Sequence, residues 1–436
     1  MVTLTATPAR ELVELCLQAG ADDARVVSLD ADGLEQERAI IREAFPAARS
    51  LVSFCLRMNR ESLRSPARSL ANLEFHETGD ETNRVGRELA RVLEARGVRA
   101  LHPAMGFPME MQRFPDRTWI VSHKRVAEAA GLGAIGIHRN LIHPVFGNFV
   151  LLGTVITDVE LEAPAAPLEF NPCLECKLCV AACPVGAIEA DGTFQFSACY
   201  THNYREFMSG FTDWVGTVAD SSSARDYRRR VTDSESASMW QSLAFGPNYK
   251  AAYCMAVCPA GDDVIAPFRE DRPEFLRTVL KPLQEHPEDV YVTPGSDAAD
   301  YVARRFPHKR AKLVSNGLAP KSIQGFLHGL RLTFQRRAAG DLAATYHFRF
   351  HGAESAEATV RIEDGRVRVR QGLEGRADLV LEADAQTWLD VLGGRRRMWP
   401  AVLTRRIRAR GPLRFLRAFQ RCFPARALPL RSYLRV

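Results

Sequence analysis

The chain lacks any run approaching the roughly 18 consecutive apolar residues that a membrane-crossing helix needs, so no helical span is expected. Its N-terminus, MVTLTATPARELVEL, lacks a basic start followed by a long apolar core, so no secretory signal is expected either. Without one, ten cysteines in 436 residues read as thiols of a reducing cytoplasm rather than as disulfides. Internal repeats and low-complexity segments are also missing, and 46% hydrophobic with 25% charged residues is the composition of a globular chain. The last stretch lacks acid altogether. From Arg395 to Val436 there are thirteen Arg and no Lys, Asp or Glu, a segment charge of +13 against a chain total of +6, which leaves −7 for residues 1–394. A basic end on an acidic body suggests an anionic partner, whether membrane surface, nucleic acid or acidic protein, although a solvated helix face would give the same pattern.

What is present in concentrated form is cysteine. Cys173-x2-Cys176-x2-Cys179-x3-Cys183-Pro184 has the spacing of a bacterial-type iron–sulfur site, in which three thiolates hold one cluster and the fourth reaches a second. Zinc also takes Cys-x2-Cys pairs, but the third step and the Cys-Pro ending favour iron. A distant Cys-Pro, Cys258-Pro259, is the expected fourth ligand of the first, 4Fe-4S, cluster. Reciprocally, Cys183 is expected to join Cys199 and Cys254 on a second. A complete second motif would put a cysteine at position 251, where the chain has Ala251. Three readings stay open for the second site: a 3Fe-4S cluster, a 4Fe-4S cluster with a non-cysteine ligand such as His202, or a 4Fe-4S cluster with an open iron. Cys16, Cys55 and Cys422 lie in apolar patterns and read as ordinary buried thiols.

Along the chain, residues 1–160 alternate helical and strand patterns. Helices are expected over ARELVELCLQAGA, 83–97 and HKRVAEAAGLGAIG, with strands at 50–58 and 145–158, which implies a sheet covered by helices. Residues 163–172 read as a proline-rich linker, and 200–253 as a polar, aromatic cover over the metal region. From about Pro320 a third unit follows: the strand TYHFRFHG, a hairpin turning at Asp364-Gly365, the strand ADLVLEAD and the helix AQTWLDVLGG. A final helix over about 412–423 sets Leu416, Phe419 and Phe423 on one face and Arg414, Arg417 and Arg421 on another. Gly131-Leu-Gly133-Ala-Ile-Gly136 fits the dinucleotide fingerprint GxGxxG, but a helix precedes it where a strand is required. It reads instead as a turn in which backbone closely approaches another group.

The stretch VAEAAGLGAIGIHRNLIHPVFGNFVLLGTVITD followed by CLECKLCVAACPVGAI resembles the epoxyqueuosine reductase and reductive dehalogenase superfamily over about residues 1–270. The resemblance implies a nitroreductase-like α+β domain cradling cobalamin, with Gly131, Gly133 and Gly136 as candidate cofactor-binding residues. It also implies a ferredoxin-like two-cluster domain fed by a donor such as ferredoxin or flavodoxin. The Val-Asp-Thr motif that carries the acid in epoxyqueuosine reductases is absent: Arg117 stands in its place, with Asp116 adjacent. Asp116, Tyr200, His202 and Tyr249 are the candidate catalytic groups. YHFRFHG, VRIEDGRVRV and ADLVLEADAQTWLDVLGG resemble a sterol carrier protein type 2 (SCP2) domain over about 320–436, which implies an α/β layer around an apolar tunnel for a lipid.

The expected architecture is therefore a multidomain α/β chain: a cobalamin-binding-like domain (1–162), an iron–sulfur domain (163–275), a linker (276–319) and an SCP2-like domain (320–436). The expected function is cytoplasmic, partly membrane-associated reduction of a hydrophobic small molecule. The alternative is a non-catalytic electron-transfer and lipid-binding protein serving a partner enzyme. The acidic body and lipid-carrier-like end argue against nucleic acid as a partner.

Overall fold

The computed structural model describes residues 6–7, 9–105, 119–161, 165–249, 253–315 and 319–424. The first region is an antiparallel four-stranded sheet in the order Asp23–Ser28, Ser50–Arg57, Val150–Thr157, Ala100–Leu101. Its two central strands are buried on both faces because each face carries its own helices. Val52, Phe54 and Leu56 pack with Leu12 and Leu89, while Leu51 and Ile156 pack with Ile41 and Val126. Gly153 faces Phe54 across the central pair and leaves no room for a side chain beside that ring.

Helix Arg68–Ala95 runs 28 residues, where periodicity predicts only 83–97. Its N-terminal half is polar, and Ser69, Asn72, His76 and Asp80 line a large cavity rather than a core. A helix facing a cavity does not need the apolar stripe by which sequence reading finds helices. The strand expected at 145–158 begins at Val150, because His143 and Gly147 close a turn ahead of it.

The cysteine region packs against this sheet. Between its cysteines the expected cover is a set of helices, Arg205–Met208, Gly210–Asp220, Ala224–Arg230 and Asp233–Phe245. Their weak periodicity has a physical cause: Val215, Val218, Trp240, Leu243 and Phe245 are exposed, so no buried stripe forms. A second correction concerns 276–319. This expected linker is a folded unit, with parallel strands Asp289–Val292 and Arg310–Leu313 joined through helix Asp297–Arg305. Leu283, Val290, Val292 and Val302 are buried in the same apolar cluster as Cys179 and Cys183. The alternation in DVYV and the amphipathic DAADYVARR mark this unit in the sequence.

The C-terminal region is a five-stranded sheet ordered Arg366–Gln371, Ala356–Glu363, Ala344–His351, Leu379–Asp384, Ile407–Arg410. Its hairpin turns where expected, with Asp364 and Gly365 at φ 51° and 63°, the left-handed pair a tight hairpin requires. Tyr346, Phe348, Phe350, Trp388 and Phe419 form its aromatic core. The last helix, Leu413–Cys422, turns Phe419 inward and leaves Arg414, Arg417 and Arg421 outside. Asp297 joins this region to the β-α-β unit: its carboxylate accepts from the backbone N–H groups of Arg337 (2.7 Å) and Ala338 (3.0 Å) at the start of helix Arg336–Ala339.

Candidate functional site

The cysteine run is a loop that becomes a short helix. Glu175 and Lys177 adopt left-handed backbone at φ 48° and 63°, which curls 173–177 back on itself. Helix Leu178–Ala182 then carries Cys179, and Cys183 sits at its C-cap with its N–H on the Cys179 carbonyl at 3.2 Å. Asn171 Oδ1 accepts the Cys173 N–H at 2.9 Å. Cys199 lies in helix Phe196–Asn203, Cys254 in helix Tyr253–Ala256, and Cys258 two residues past the end of the latter.

These seven thiols fall into two neighbourhoods. Burial, then the nearby Cys254, Cys258, Cys176 and Cys173, pushes Cys179 above the usual thiol range. Cys258 is pushed up to about 12, mainly by burial, with Cys176, Cys173 and Cys254 as further contributors. Cys199 is raised by burial and then by Cys254 and Cys183, with Lys124 opposing. Cys254 is raised to about 11 by burial and by Cys183, and Lys124 and Asn140 hold it down. The spacing expects the sets Cys173/Cys176/Cys179/Cys258 and Cys183/Cys199/Cys254, and Cys254 lies between them, near Cys179 and Cys258 as well as near Cys183 and Cys199. Thiols buried this deeply stay protonated unless a cation is bound among them. Among the described residues no His, Cys, Asp or Glu group converges as the ligands of one metal ion would. The donor chemistry fits iron–sulfur clusters, in which each thiolate binds a different iron.

The sets differ in what they face. Cys183, Cys199 and Cys254 line a cavity of about 4340 Å³, and none of the first four thiols does. Around the second set, Lys124 donates to the Arg139 carbonyl (3.0 Å) and Asn140 Oδ1 (2.6 Å), and Asn140 Nδ2 lies 3.5 Å from Cys254 Sγ. Asn140 N–H donates to His138 Nδ1 (3.1 Å), and the other ring nitrogen lies 3.2 Å from the Asn148 amide. Burial and Lys124 hold His138 down at about 3, so it is neutral at ordinary pH. Lys124, Asn140 and His138 escaped sequence reading, because a lone Lys or His in a helical or turn pattern carries no spacing signal.

Tyr249 lies close to this set. Burial, then Tyr204, Cys254 and Cys199, raises its phenol well above the usual range, and its ring stacks on Phe75 at 4.5 Å. Tyr200 also lines the cavity, stacked on Phe196. His202 Nδ1 instead accepts the Tyr291 N–H at 3.3 Å, and Glu288 is the charge beside it. Those partners belong to the β-α-β unit, not to the thiols, which weakens His202 as a cluster ligand. Asp116 and Ala251 lie outside the described residues. Gly131, Gly133 and Gly136 do not line the cavity. A side chain at Gly131 would strike the Ala166 carbonyl, and one at Gly133 the Ile142 carbonyl. These glycines serve close packing of the protein on itself, the backbone approach expected of the glycine turn.

The cavity continues from the second thiol set into the C-terminal region, where Phe326, Leu381, Trp388, Leu416 and Phe419 line it. Its volume exceeds the roughly 300–1,000 Å³ of an ordinary small-molecule pocket several-fold.

Comparison with known proteins gives two kinds of likeness. Residues 333–424 match the SCP-2 sterol transfer family. Epoxyqueuosine reductases are also similar: that of Staphylococcus aureus is 28% identical over 173 residues, covering 38% of this chain and 37% of that protein. The chain spans at most half the length of the first such relatives. Among solved structures, an epoxyqueuosine reductase with an epoxyqueuosine-modified tRNA stem loop matches at 20% identity and TM-score 0.29, covering 44% of this chain and 56% of that one. A catabolic reductive dehalogenase matches at 18% and 0.31, covering 42% and 26%. Among the described residues no helix is long and apolar enough to cross a membrane.

Proposed function

We propose that the chain is an iron–sulfur reductase acting on an apolar molecule held partly in its C-terminal chamber. One observation carries this reading: the three-thiol set and the C-terminal apolar lining share one cavity, and the four-thiol set stands outside it. In this reading Cys173, Cys176, Cys179 and Cys258 hold a 4Fe-4S cluster that takes electrons from a donor such as ferredoxin or flavodoxin. Cys183, Cys199 and Cys254 hold a second, 3Fe-4S or 4Fe-4S, facing the cavity. The region before residue 162 is the cofactor-binding nitroreductase-like domain, 163–275 the ferredoxin-like domain with 276–319 folded onto it, and 320–436 the lipid-binding domain.

The cavity is large enough for a corrinoid beside a substrate, with His123, Lys124, Asn140 and Leu151 on its wall. A bound corrinoid would supply a strongly reducing metal centre to the reaction. The chain's own residues bind the apolar part of the substrate, exclude water and keep a proton at hand. Tyr249, which lines the cavity beside the second thiol set, is the proton source we assign.

Anaerobic purification followed by iron, sulfide, zinc and corrinoid analysis tests the reading. About seven or eight irons per chain are expected, with corrinoid taken up on reconstitution. Stoichiometric zinc with negligible iron overturns it. Iron without corrinoid uptake would favour the electron-transfer alternative.

A further inference from the structure

We propose that the short helix Met398–Leu403 and the start of helix Leu413–Cys422 form a docking tip for an anionic lipid bilayer, set at the mouth of the cavity. The helix has the wrong exposure for its sequence. MWPAVL is almost wholly apolar, yet Ala401 is its one buried residue. Trp399 is 76% exposed and Leu403 78%, and neighbouring Leu413 is 67% exposed. Isolated exposed apolar residues are ordinary. A contiguous group rimmed by one sign of charge marks an interaction surface.

The rim fixes which surface. Arg396, Arg397 and Arg405 flank the helix in sequence and Arg414 follows Leu413, all exposed, in a stretch that has no acidic residue from Arg395 onward. Large apolar side chains with a collar of basic residues match the interface of a membrane with anionic headgroups: the apolar group enters the acyl boundary and the guanidinium groups meet phosphate. A nucleic acid would use the arginines but would leave Leu403 and Leu413 in water. A second copy of this chain would bring an identical cationic collar against the first.

The tip also has a use. Met398, Trp399, Val402 and Leu413 line the same cavity that reaches Phe326, Trp388 and Phe419 inside the C-terminal region. An apolar ligand leaving the bilayer at the tip would therefore pass into the chamber without crossing water. The ligand class this implies is a membrane-resident lipid or lipid-like amphiphile. The docking itself does not depend on the redox reading, because vesicle binding involves no electron transfer.

The test is flotation of the full chain with phosphatidylcholine vesicles, with and without about a third phosphatidylglycerol. Binding to the anionic vesicles that weakens with salt is expected. Trp399→Ser with Leu403→Ser, and separately Arg396→Gln with Arg397→Gln, should each weaken it about tenfold or more. Every substituted residue is exposed, and an unchanged circular-dichroism melt verifies the fold. Equal binding to neutral vesicles, or unchanged binding in either double variant, overturns the proposal. So does an oligonucleotide that binds through the arginines while Trp399→Ser with Leu403→Ser leaves its binding intact and no vesicle binding is seen. Self-association by light scattering that the apolar variant abolishes, without vesicle binding, would assign the tip to a second copy instead.

Discussion

The two thiol sets make an instructive pair. Both are built from Cys-Pro partners exchanged between distant parts of one region; Cys176, Cys179 and the second set lie in one apolar cluster, while Cys173 and Cys258 pack with Ile142 in another. The first is complete, with Cys173 and Cys176 only half-buried beside exposed Leu174, and it stays out of the cavity. The second has three cysteines, opens onto the cavity, and has a half-buried lysine and an asparagine amide beside it. A cluster near the surface suits electron entry, and one on a cavity wall suits delivery. The missing thiol thus falls on the side where chemistry is expected.

Separate removal of the two sets breaks this comparison most sharply. Cys176→Ala should lose about four irons and essentially all donor-dependent reduction, leaving the second cluster's electron paramagnetic resonance signal in place. Cys254→Ala should lose the second signal and turnover but keep reduction of the first cluster by the donor. Metal analysis and spectroscopy on both variants check this. Loss of both signals in each variant would mean that the sets are one structural unit, with no division of labour.

Much of this pair was legible beforehand. Cysteine spacing is a covalent pattern, and Cys-Pro endings name their distant partners, so both sets could be written down before any fold was known. The C-terminal hairpin was equally plain, because Asp364-Gly365 admits few other turns. The cavity was not legible. It is made of a polar helix half (Ser69 to Asp80), of Lys124 and Asn140, and of helices in 205–245 that bury no apolar stripe. Sequence periodicity reports burial against a core, and residues facing a ligand-sized space give no such signal. The glycine turn was legible for its own reason. GxGxxG records close approach of backbone, and here the approaching group is the Ala166 and Ile142 backbone rather than a ligand.

Acid should separate the two sets next. His138, 4% exposed, sits beside Lys124 and Asn140 on the second set's side, and its folded pKa is about 3 against an ordinary 6.5. Between these values the unfolded chain binds a proton that the folded chain refuses. Stability therefore falls as pH drops from about 6.5 toward 3, by roughly a few kcal/mol, and is fully present above that window. Urea midpoints of the metal-free chain across this range should slope down toward acid, and His138→Gln should flatten the slope. An unchanged slope would assign the acid sensitivity to other groups.

Lys124 offers a smaller, sharper difference. Its ammonium lies near Cys254 and Cys199, so Lys124→Gln removes positive charge from beside the second set alone. Reduction of that cluster should become harder, its potential falling by on the order of tens of millivolts. The first cluster's potential should stay put. Potentiometric titration followed by electron paramagnetic resonance reads both at once, and equal shifts in the two would remove the distinction drawn here.

The smallest expected effect tests how the C-terminal region holds the second set. Arg336 Nη1 reaches Asp191 Oδ2 (2.6 Å), Thr193 Oγ1 (3.0 Å) and Glu189 Oε2 (3.4 Å), in the strand-like loop that follows Cys183. Gln335 Nε2 approaches Ser197 Oγ at 3.5 Å, two residues before Cys199. Both ties therefore grip segments that carry second-set thiols, and neither touches the first set. Arg336 is partly exposed, so Arg336→Ala should cost at most about 1 kcal/mol of global stability. Its effect on the second cluster should exceed that cost. Loosening the segment between Cys183 and Cys199 should speed oxygen-driven loss of the second cluster several-fold and leave the first cluster's decay rate unchanged. Parallel bleaching of both clusters in Arg336→Ala would instead mean that the C-terminal region braces the cysteine region as a whole, and the division between an entry set and a delivery set would lose its structural support there.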